Sequence, residues 1–214
     1  MIENNDTKRS PSPDWVIRLE AARTADQIFI AAGTGDSTAS VSMHEKAADG
    51  SWKEILTTPG YIGQNGLFKT KEGDKKTPVG IYHFNRAFGI ADDPGCAIPY
   101  HKVTEEDYWS CDQREKHHYN EMVNIREIPD LNTKDSEHLI EYTCEYQYCL
   151  SISWNEEGQA GRGSAIFLHC QGPCRPYTGG CVAIPRDKMI KAMQNVKKDC
   201  VVIIDTLENI IGDV

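Results

Sequence analysis

The sequence has no apolar run close to the roughly 20 residues that a membrane-spanning helix needs, and it contains no internal repeat. It also lacks an excess of basic residues, because 23 Lys and Arg stand against 32 Asp and Glu and leave a net charge of −9. A negative chain repels a phosphate backbone. These absences argue against a membrane-spanning helix, a repeat array and a nucleic-acid partner.

A secretory signal is also missing, because the N-terminal residues MIENNDTKRSPSPDW lack an apolar core and a small-residue cleavage site. Residues 1–13 are polar, contain proline and show no period, so we interpret 1–25 as an N-terminal tail or linker. The remaining residues, 26–214, fit the usual size of one domain, about 100 to 200 residues. We therefore expect a single domain after the tail.

The eight cysteines form an even set, but the chain is long enough to bury a core without disulfide bonds. A cysteine reserved for catalysis leaves an odd number, and hence at least one further free or intermolecular thiol. The sequence permits several pairings without fixing them: Cys96 with Cys111, Cys144 with Cys149, and Cys170 with Cys174.

Short β-branched and aromatic runs separated by Gly, Pro and Asn predict a mainly β fold. The predicted strands are Gln27 to Ala32, Thr38 to Glu45, Trp52 to Leu56, Val79 to Phe84, His138 to Cys144, Tyr146 to Trp154, Ser164 to Cys170 and Cys200 to Ile204. Apolar residues at helical spacing predict the best helix of the chain within 185–199. The long stretch 91–136, rich in charged and aromatic residues, is predicted to be a lid-like insertion.

The segment SAIFLHCQGPCRPYTGGCVAIP, residues 164–185, places a histidine on a predicted strand and a cysteine after two glycines. His169 precedes Cys181 by 12 residues, which is enough for a loop to bring the imidazole to the thiol. A free thiol with a pKa near 8.5 needs a base to become a good nucleophile, and His169 can be that base. Gly179 and Gly180 have no Cβ, so their NH groups and that of Cys181 can bind an oxyanion.

Other interpretations of these residues stay open. Cys181 also suits a buried small apolar position, and His169 a core position at a strand end. The histidine together with the cysteines of this segment could bind zinc, but paired C-x₂-C knuckles are missing, and we expect neither a metal nor a cofactor. Papain-like and caspase-like proteases are disfavoured, because they differ in the order, spacing or flanking residues of the two groups.

This segment resembles the active-site stretch of the L,D-transpeptidases, the YkuD-type catalytic domain, in which a histidine on a strand precedes a loop ending in Ser/Thr-x-Gly-Cys. Thr178-Gly179-Gly180-Cys181 fits that ending. LFKTKEGDKKTPVGIYHFNRAFG, residues 67–89, is similar to the family's K-T-P-x-G turn and following strand. PYHKVTEEDYW, HYNEMV, EHLIEY and GSAIFLH are further matches to bacterial members, so the resemblance covers roughly Gln27 to Asp205.

The resemblance implies a β-sandwich-like catalytic fold over 26–214, with a lid and a C-terminal helix. It implies a peptidoglycan stem tetrapeptide as donor: the Cys181 thiolate attacks the carbonyl of the third residue, His169 is the general base, and Gly179, Gly180 and Cys181 supply the oxyanion donors. The terminal D-alanine leaves, and an amine of a second stem accepts the acyl group in a 3→3 cross-link. Carbapenem inhibition and a cell-envelope location are also implied, although a chain without a signal leaves the cytoplasm open.

Five residues are expected to contact the substrate. Three of them, Arg175, Tyr177 and Thr178, lie in the loop before the cysteine, and two, Tyr108 and Trp109, lie in the insertion. The alternatives are that Thr178 shapes its loop, that Arg175 is only an exposed arginine, and that the aromatic residues pack the insertion against the body.

The sequence departs from many family members at two positions. Gly179 stands where they have histidine, and Ala183 stands where they have arginine. No third residue that would orient His169 is evident, which leaves a backbone carbonyl as the candidate. The alternative functions are an L,D-carboxypeptidase, in which water accepts the acyl group, and a non-catalytic cell-wall-binding module.

Overall fold

The computed structural model describes residues 9–212 and shows a mainly β protein, with 34% strand and 15% helix. The predicted fold class is confirmed. The strands are β1 (Gln27–Gly33), β2 (Thr38–Lys46), β3 (Trp52–Tyr61), β4 (Gly80–Gly89), β5 (Tyr100–Lys102), β6 (Asp107–Trp109), β7 (Met122–Asn124), β8 (Glu137–His138), β9 (Cys149–Ile152), β10 (Phe167–Cys170), β11 (Val182–Ile184) and β12 (Val201–Thr206). The helices are α1 (Asp14–Arg18), α2 (Arg186–Asn195) and α3 (Leu207–Gly212), with 3₁₀ turns at Glu20–Arg23, Leu139–Glu141 and Glu145–Gln147.

The main sheet closes on itself. Its order is β12-β1-β2-β3-β11-β10-β9-β4, and β4 pairs with β12 as well as with β9, while the short β5 runs parallel to the end of β4. Closure gives hydrogen-bond partners to backbone groups that the edges of an open sheet would leave unpaired. The sandwich-like body is therefore one closed sheet with the main apolar core inside it.

Alternation along the strands decides which side chains enter this core. Leu168 and Cys170 of β10 lie in the core, as do Val182 and Ile184 of β11, and each is at most 1% exposed. Because successive side chains of a strand point to opposite faces, the side chain between the first two, that of His169, points out of the closed sheet.

Helix α2 packs Met189, Ala192 and Met193 onto the same core. These residues recur at the helical spacing that predicted a helix within 185–199. The helix ends at Asn195, earlier than predicted, because Val196 takes an extended conformation with ψ at 132°. Val196 remains buried in the core, so its apolar character reflects packing rather than helix.

Two predicted strands are replaced or shortened. Within 138–144 only β8 is extended, and a 3₁₀ turn follows it, while the strand predicted from Tyr146 begins at Cys149. The rings of Tyr142 and Tyr146 stack with their centroids 4.4 Å apart. Since a strand rises about 3.3 Å per residue, four residues of strand would hold these rings far apart. A tight turn is required instead.

The insertion predicted at 91–136 covers the outer face of β9 and β10. Its strands β6 and β7 form a second sheet with β8, in the order β7-β6-β8. Trp109 and Leu139 pack against Phe88 and Phe167 in an apolar cluster that is separate from the main core. The insertion thus forms a packed wall over one side of the closed sheet.

Residues 9–25, predicted as part of a tail, are folded. Val16 is fully buried and packs with Leu19 against the sheet, while Pro11 forms a β-bridge with Lys53. The apolar residues of this segment cover side chains that point outward from β1, so the tail prediction is wrong for these residues; residues 1–8 lie outside the described part. Between residues 9 and 212, no helix is long and apolar enough to cross a membrane.

Candidate active site

The register of two parallel strands brings the predicted pair to one face. Leu168 pairs with Val182 and His169 with Ala183, so Cys181, just before β11, lies beside Phe167. Alternation places His169 and Cys181 on the same outer face, as diagonal neighbours. Both side chains line one cleft of about 1070 Å³ between the sheet and the insertion.

The Cys181 thiol is held by two backbone groups in the resting structure. Its Sγ–H donates to the carbonyl of Ala165 at 3.2 Å, and Sγ accepts the NH of Phe167 at 3.3 Å. Burial, and after it the nearby carboxylate of Glu137, raise the pKa of Cys181 to about 12. The resting thiol of Cys181 is therefore neutral, and it would have to turn from Ala165 toward a base before it could act as a nucleophile.

His169 is oriented by a backbone carbonyl. Its Nδ1 lies 2.8 Å from the carbonyl oxygen of Cys170. Because a carbonyl only accepts, this contact assigns the proton to Nδ1 and leaves Nε2 as a proton acceptor. Burial lowers the pKa of His169, which keeps the imidazole neutral and suits it to take the proton of a thiol.

The glycines before Cys181 differ in what their NH groups do. The NH of Gly180 donates to Thr178 Oγ1 at 3.1 Å, so this predicted oxyanion donor is already engaged. Among residues 9–212, the hydrogen bonds of turns and loops include no acceptor for the NH of Gly179 or Cys181. Gly180 has φ at +144°, and a Cβ there would lie 2.7 Å from the carbonyl oxygen of Lys76, so the turn requires glycine.

Thr178 lines the cleft, and its hydroxyl is engaged in hydrogen bonds within the loop. It is 8% exposed, and its Oγ1 donates to the carbonyl oxygen of Cys181 at 2.6 Å. Thr77, from the K-T-P-x-G turn, contacts the same carbonyl at 3.4 Å and accepts the NH of Gly63 at 2.8 Å. The two motif blocks therefore meet beneath Cys181.

The other predicted substrate contacts divide by element. Arg175 and Tyr177 line the cleft. Tyr108 and Trp109 do not line it: Tyr108 stacks on His138 at 4.3 Å, and Trp109 packs on Phe167 at 4.6 Å and is 5% exposed. The prediction that these two line the substrate cleft is wrong, because their apolar rings hold the insertion to the sheet instead.

Asn120 is a half-buried brace that the sequence did not reveal. Its Oδ1 accepts the NH of Ala165 and the Nε1–H of Trp109, and its Nδ2 donates to the carbonyls of Trp154 and Asn155, all between 2.9 and 3.0 Å. Ala165 has φ at +54°, a strained value for alanine. Asn120 thus fixes the strained residue whose carbonyl holds the thiol. In the sequence, the segment HYNEMV, which contains Asn120, indicated only the resemblance to the family.

Glu137 is a second residue that sequence reasoning missed. It lines the cleft, its Oε2 accepts the hydroxyl of Tyr146 at 2.6 Å, and the Tyr146 ring meets the His169 ring edge-on at 5.6 Å. Burial raises the pKa of Glu137 to about 7. EHLIEY, which begins with Glu137, indicated only the resemblance to the family, because the pairing of β8 with β6 is what brings this residue to the cleft.

A buried ion pair supports the opposite wall of the cleft. Lys69 Nζ lies 2.9 Å from Asp74 Oδ1, with both side chains at most 7% exposed. Asp74 also accepts the NH groups of Thr70, Lys71 and Lys76, and although burial opposes it, these hydrogen bonds lower its pKa to about 2. The loop that leads into the K-T-P-x-G turn is thereby fixed.

All eight cysteines are free thiols, so none of the pairings permitted by the sequence forms here. Cys149, Cys170 and Cys200 are buried with Cys181, whereas Cys144 and Cys174 are exposed. Within residues 9–212, no group of three or more His, Cys, Asp or Glu side chains is placed to hold a metal ion.

Comparison with known proteins agrees with this site. The sequence profile of the YkuD L,D-transpeptidase catalytic domain matches residues 37–204, a range that contains both motif blocks, the insertion, His169 and Cys181. No curated protein matches the chain significantly.

Proposed function

The chain belongs to the L,D-transpeptidase catalytic-domain family (YkuD), whose substrates are peptidoglycan peptides, and from this premise we propose that it forms 3→3 cross-links through an acyl-enzyme at Cys181. The observation that carries the proposal is the shared cleft: a thiol, a neutral imidazole oriented by a carbonyl, and two unengaged NH groups lie together. Because peptidoglycan lies in the cell envelope, we propose that the reaction takes place there.

Acylation begins when the donor stem enters the cleft. The Cys181 thiol turns from the Ala165 carbonyl and gives its proton to Nε2 of His169, and Sγ attacks the carbonyl carbon of the third stem residue. The NH groups of Gly179 and Cys181 receive the oxyanion. The tetrahedral adduct then collapses, the peptide bond breaks, and the proton on His169 passes to the amine of the departing D-alanine.

Transfer completes the cycle. The side-chain amine of a second stem attacks the thioester, the C–S bond breaks, and Cys181 recovers its proton through His169. Arg175 and Tyr177, which line the cleft, are proposed to contact the stems. Thr178 acts through the loop it holds.

Product analysis with a matched pair of variants tests the proposal. The full chain is incubated with disaccharide-tetrapeptide and the products are followed by mass spectrometry, with Cys181→Ala compared with Cys170→Ala. We expect dimer and free D-alanine from the wild type and from Cys170→Ala, because Cys170 lies inside the core. Cys181→Ala should give neither, and it should lose the mass increase that a carbapenem produces.

Three outcomes would contradict the proposal. Dimer formation by Cys181→Ala at the wild-type rate would reject the nucleophile. Trimmed tripeptide without dimer from the wild type would identify an L,D-carboxypeptidase, while cell-wall binding without turnover or a carbapenem adduct would identify a binding module.

A further inference from the structure

Glu137 is an acidic group in the cleft whose charge has no partner. Among residues 9–212, no ion pair includes Glu137, and the one side-chain hydrogen bond to its carboxylate comes from Tyr146, to Oε2. A carboxylate offers about four acceptor positions. Oε1 is therefore free to accept from a group that enters the cleft.

Two other charged groups of the cleft already have partners. Lys69 is paired with Asp74, and Glu72 accepts the hydroxyls of Tyr119 and Ser164. Glu137 and Cys181 line the same cleft, and Tyr146, whose hydroxyl donates to Glu137, meets the ring of His169 edge-on at 5.6 Å. A cation held by Glu137 would accordingly lie in the cleft that contains the thiol and the imidazole.

Resting on the proposed function, we propose that Glu137 binds the ammonium group of the acceptor stem and takes one of its protons, which delivers a neutral amine to the thioester at Cys181. The charge of the acceptor is opposite to that of the carboxylate, and a charge-assisted hydrogen bond is about twice as strong as a neutral one. Water brings no charge to this position. Glu137 therefore favours an amine over water as the acyl acceptor.

The protons of this step balance. The ammonium gives one proton to Glu137, the nitrogen forms a bond to the thioester carbon, and the adduct gives a second proton to Nε2 of His169. The C–S bond breaks, and the departing sulfur of Cys181 takes the proton from His169. Glu137 then releases its proton to solvent. A carboxyl group whose pKa burial has raised toward neutrality is a better proton acceptor for this purpose than an ordinary one.

The partition between products tests the role of Glu137. The full-length Glu137→Gln variant keeps an oxygen that can accept from Tyr146 but loses the negative charge. With disaccharide-tetrapeptide as donor and acceptor, we expect its ratio of dimer to hydrolysed tripeptide to fall at least about tenfold. Acylation by a carbapenem should be unchanged or faster, because removal of the carboxylate lowers the pKa of Cys181.

The matched control is Glu141→Gln, since Glu141 follows on the same segment but pairs with His138 at the surface and does not line the cleft. Its product ratio should equal that of the wild type. If Glu137→Gln does not fold, the Glu137→Asp variant tests the inference instead. Its ratio of dimer to hydrolysed tripeptide should be lower than that of the wild type, because the shorter side chain holds the carboxylate farther from the acceptor amine.

An unchanged ratio in a folded Glu137 variant would overturn the inference while leaving the proposed function intact. Failure of the wild type to acquire an acyl group at Cys181 would instead overturn the proposed function, and the role of Glu137 with it. The two failures are thus read from different products.

Discussion

The two faces of β10 and β11 have different surroundings: one lies in the main core and the other lines the cleft. On the inner face, Leu168 and Val182 are fully buried and surrounded by apolar side chains of the main core. On the outer face, His169 and Cys181 are nearly as buried, but they line a cleft and have backbone polar groups as neighbours. Because side chains alternate along a strand, the residues that stabilise the core and the residues that line the cleft lie on opposite faces of the same two strands.

Two cysteines make the contrast sharper. Burial raises the pKa of both thiols, to about 11 for Cys170 and about 12 for Cys181. The Sγ–H of Cys170 donates to the carbonyl oxygen of Tyr148 at 3.9 Å, and the side chain otherwise lies among the apolar residues of the core. Cys181 has a base on the same face and free NH groups beside it. Access and neighbours therefore distinguish the two residues, whereas burial does not.

The largest expected effect is on the outer face. Replacement His169→Gln removes the general base and should lower kcat/KM for cross-linking by about 10²- to 10⁴-fold. Thermal unfolding should stay close to that of the wild type, because the side chain is not part of the main core. A variant that forms dimer at the wild-type rate would remove His169 from the mechanism.

A substitution on the inner face should lower the free energy of unfolding. Leu168→Ala creates a cavity in the main core and should lower the free energy of unfolding by about 2 to 5 kcal/mol. Denaturant titration measures this loss, and the fraction that remains folded should still form the carbapenem adduct. Loss of the adduct in folded protein would show that the two faces are not separable.

A substitution of Asn120 tests whether its hydrogen bond to Ala165 holds the carbonyl that accepts the Cys181 thiol. Asn120→Ala removes the partner of the NH of Ala165, of the Nε1–H of Trp109 and of the carbonyl of Trp154, which should cost about 1 to 3 kcal/mol in unfolding free energy. Freed from the Ala165 carbonyl, Cys181 should also react faster with iodoacetamide.

The control for this prediction is Asn85→Ala, because Asn85 contacts Glu156 at the surface. It should change the unfolding free energy by less than about 0.5 kcal/mol. Equal alkylation rates in Asn120→Ala and the wild type would contradict the role assigned to the brace.

The smallest effect is the pH dependence of alkylation. Because the pKa of Cys181 lies near 12, its thiolate fraction should rise about tenfold per pH unit from pH 7 to pH 10 without levelling off. Peptide mass spectrometry of the 181-containing fragment follows the rate. A plateau near pH 8 or 9 would mean that the resting site already stabilises the thiolate.

Much of the site followed from local sequence. The spacing of His169 and Cys181, together with Gly179, predicted residues that do meet in one cleft. The K-T-P-x-G block supplies Thr77, which contacts the carbonyl of Cys181. A backbone carbonyl was the candidate for orienting His169, and the structure supplies that of the adjacent Cys170. Contacts between near neighbours, and motifs with one possible geometry, are readable without coordinates.

Other predictions failed because they depended on distant partners. Tyr108 and Trp109 look like cleft aromatics in the sequence, but their placement depends on pairing with β7 and β8. The segment from Trp15 to Ala25 was predicted to belong to a tail, yet its apolar residues cover the outward side chains of β1. Whether an amphipathic segment is covered depends on what lies opposite, which composition does not state.

The sequence by itself predicted the mainly β class, most of the strands and the alternation of their side chains, and it singled out His169 and Cys181, because these depend on short-range preferences and on a few residues of defined chemistry. Only the tertiary structure decided that the sheet closes, that Asn120 holds Ala165 and that Glu137 lines the same cleft as Cys181. These contacts join segments far apart in the chain, and their geometry is set by cross-strand hydrogen bonding and packing, which no local pattern encodes.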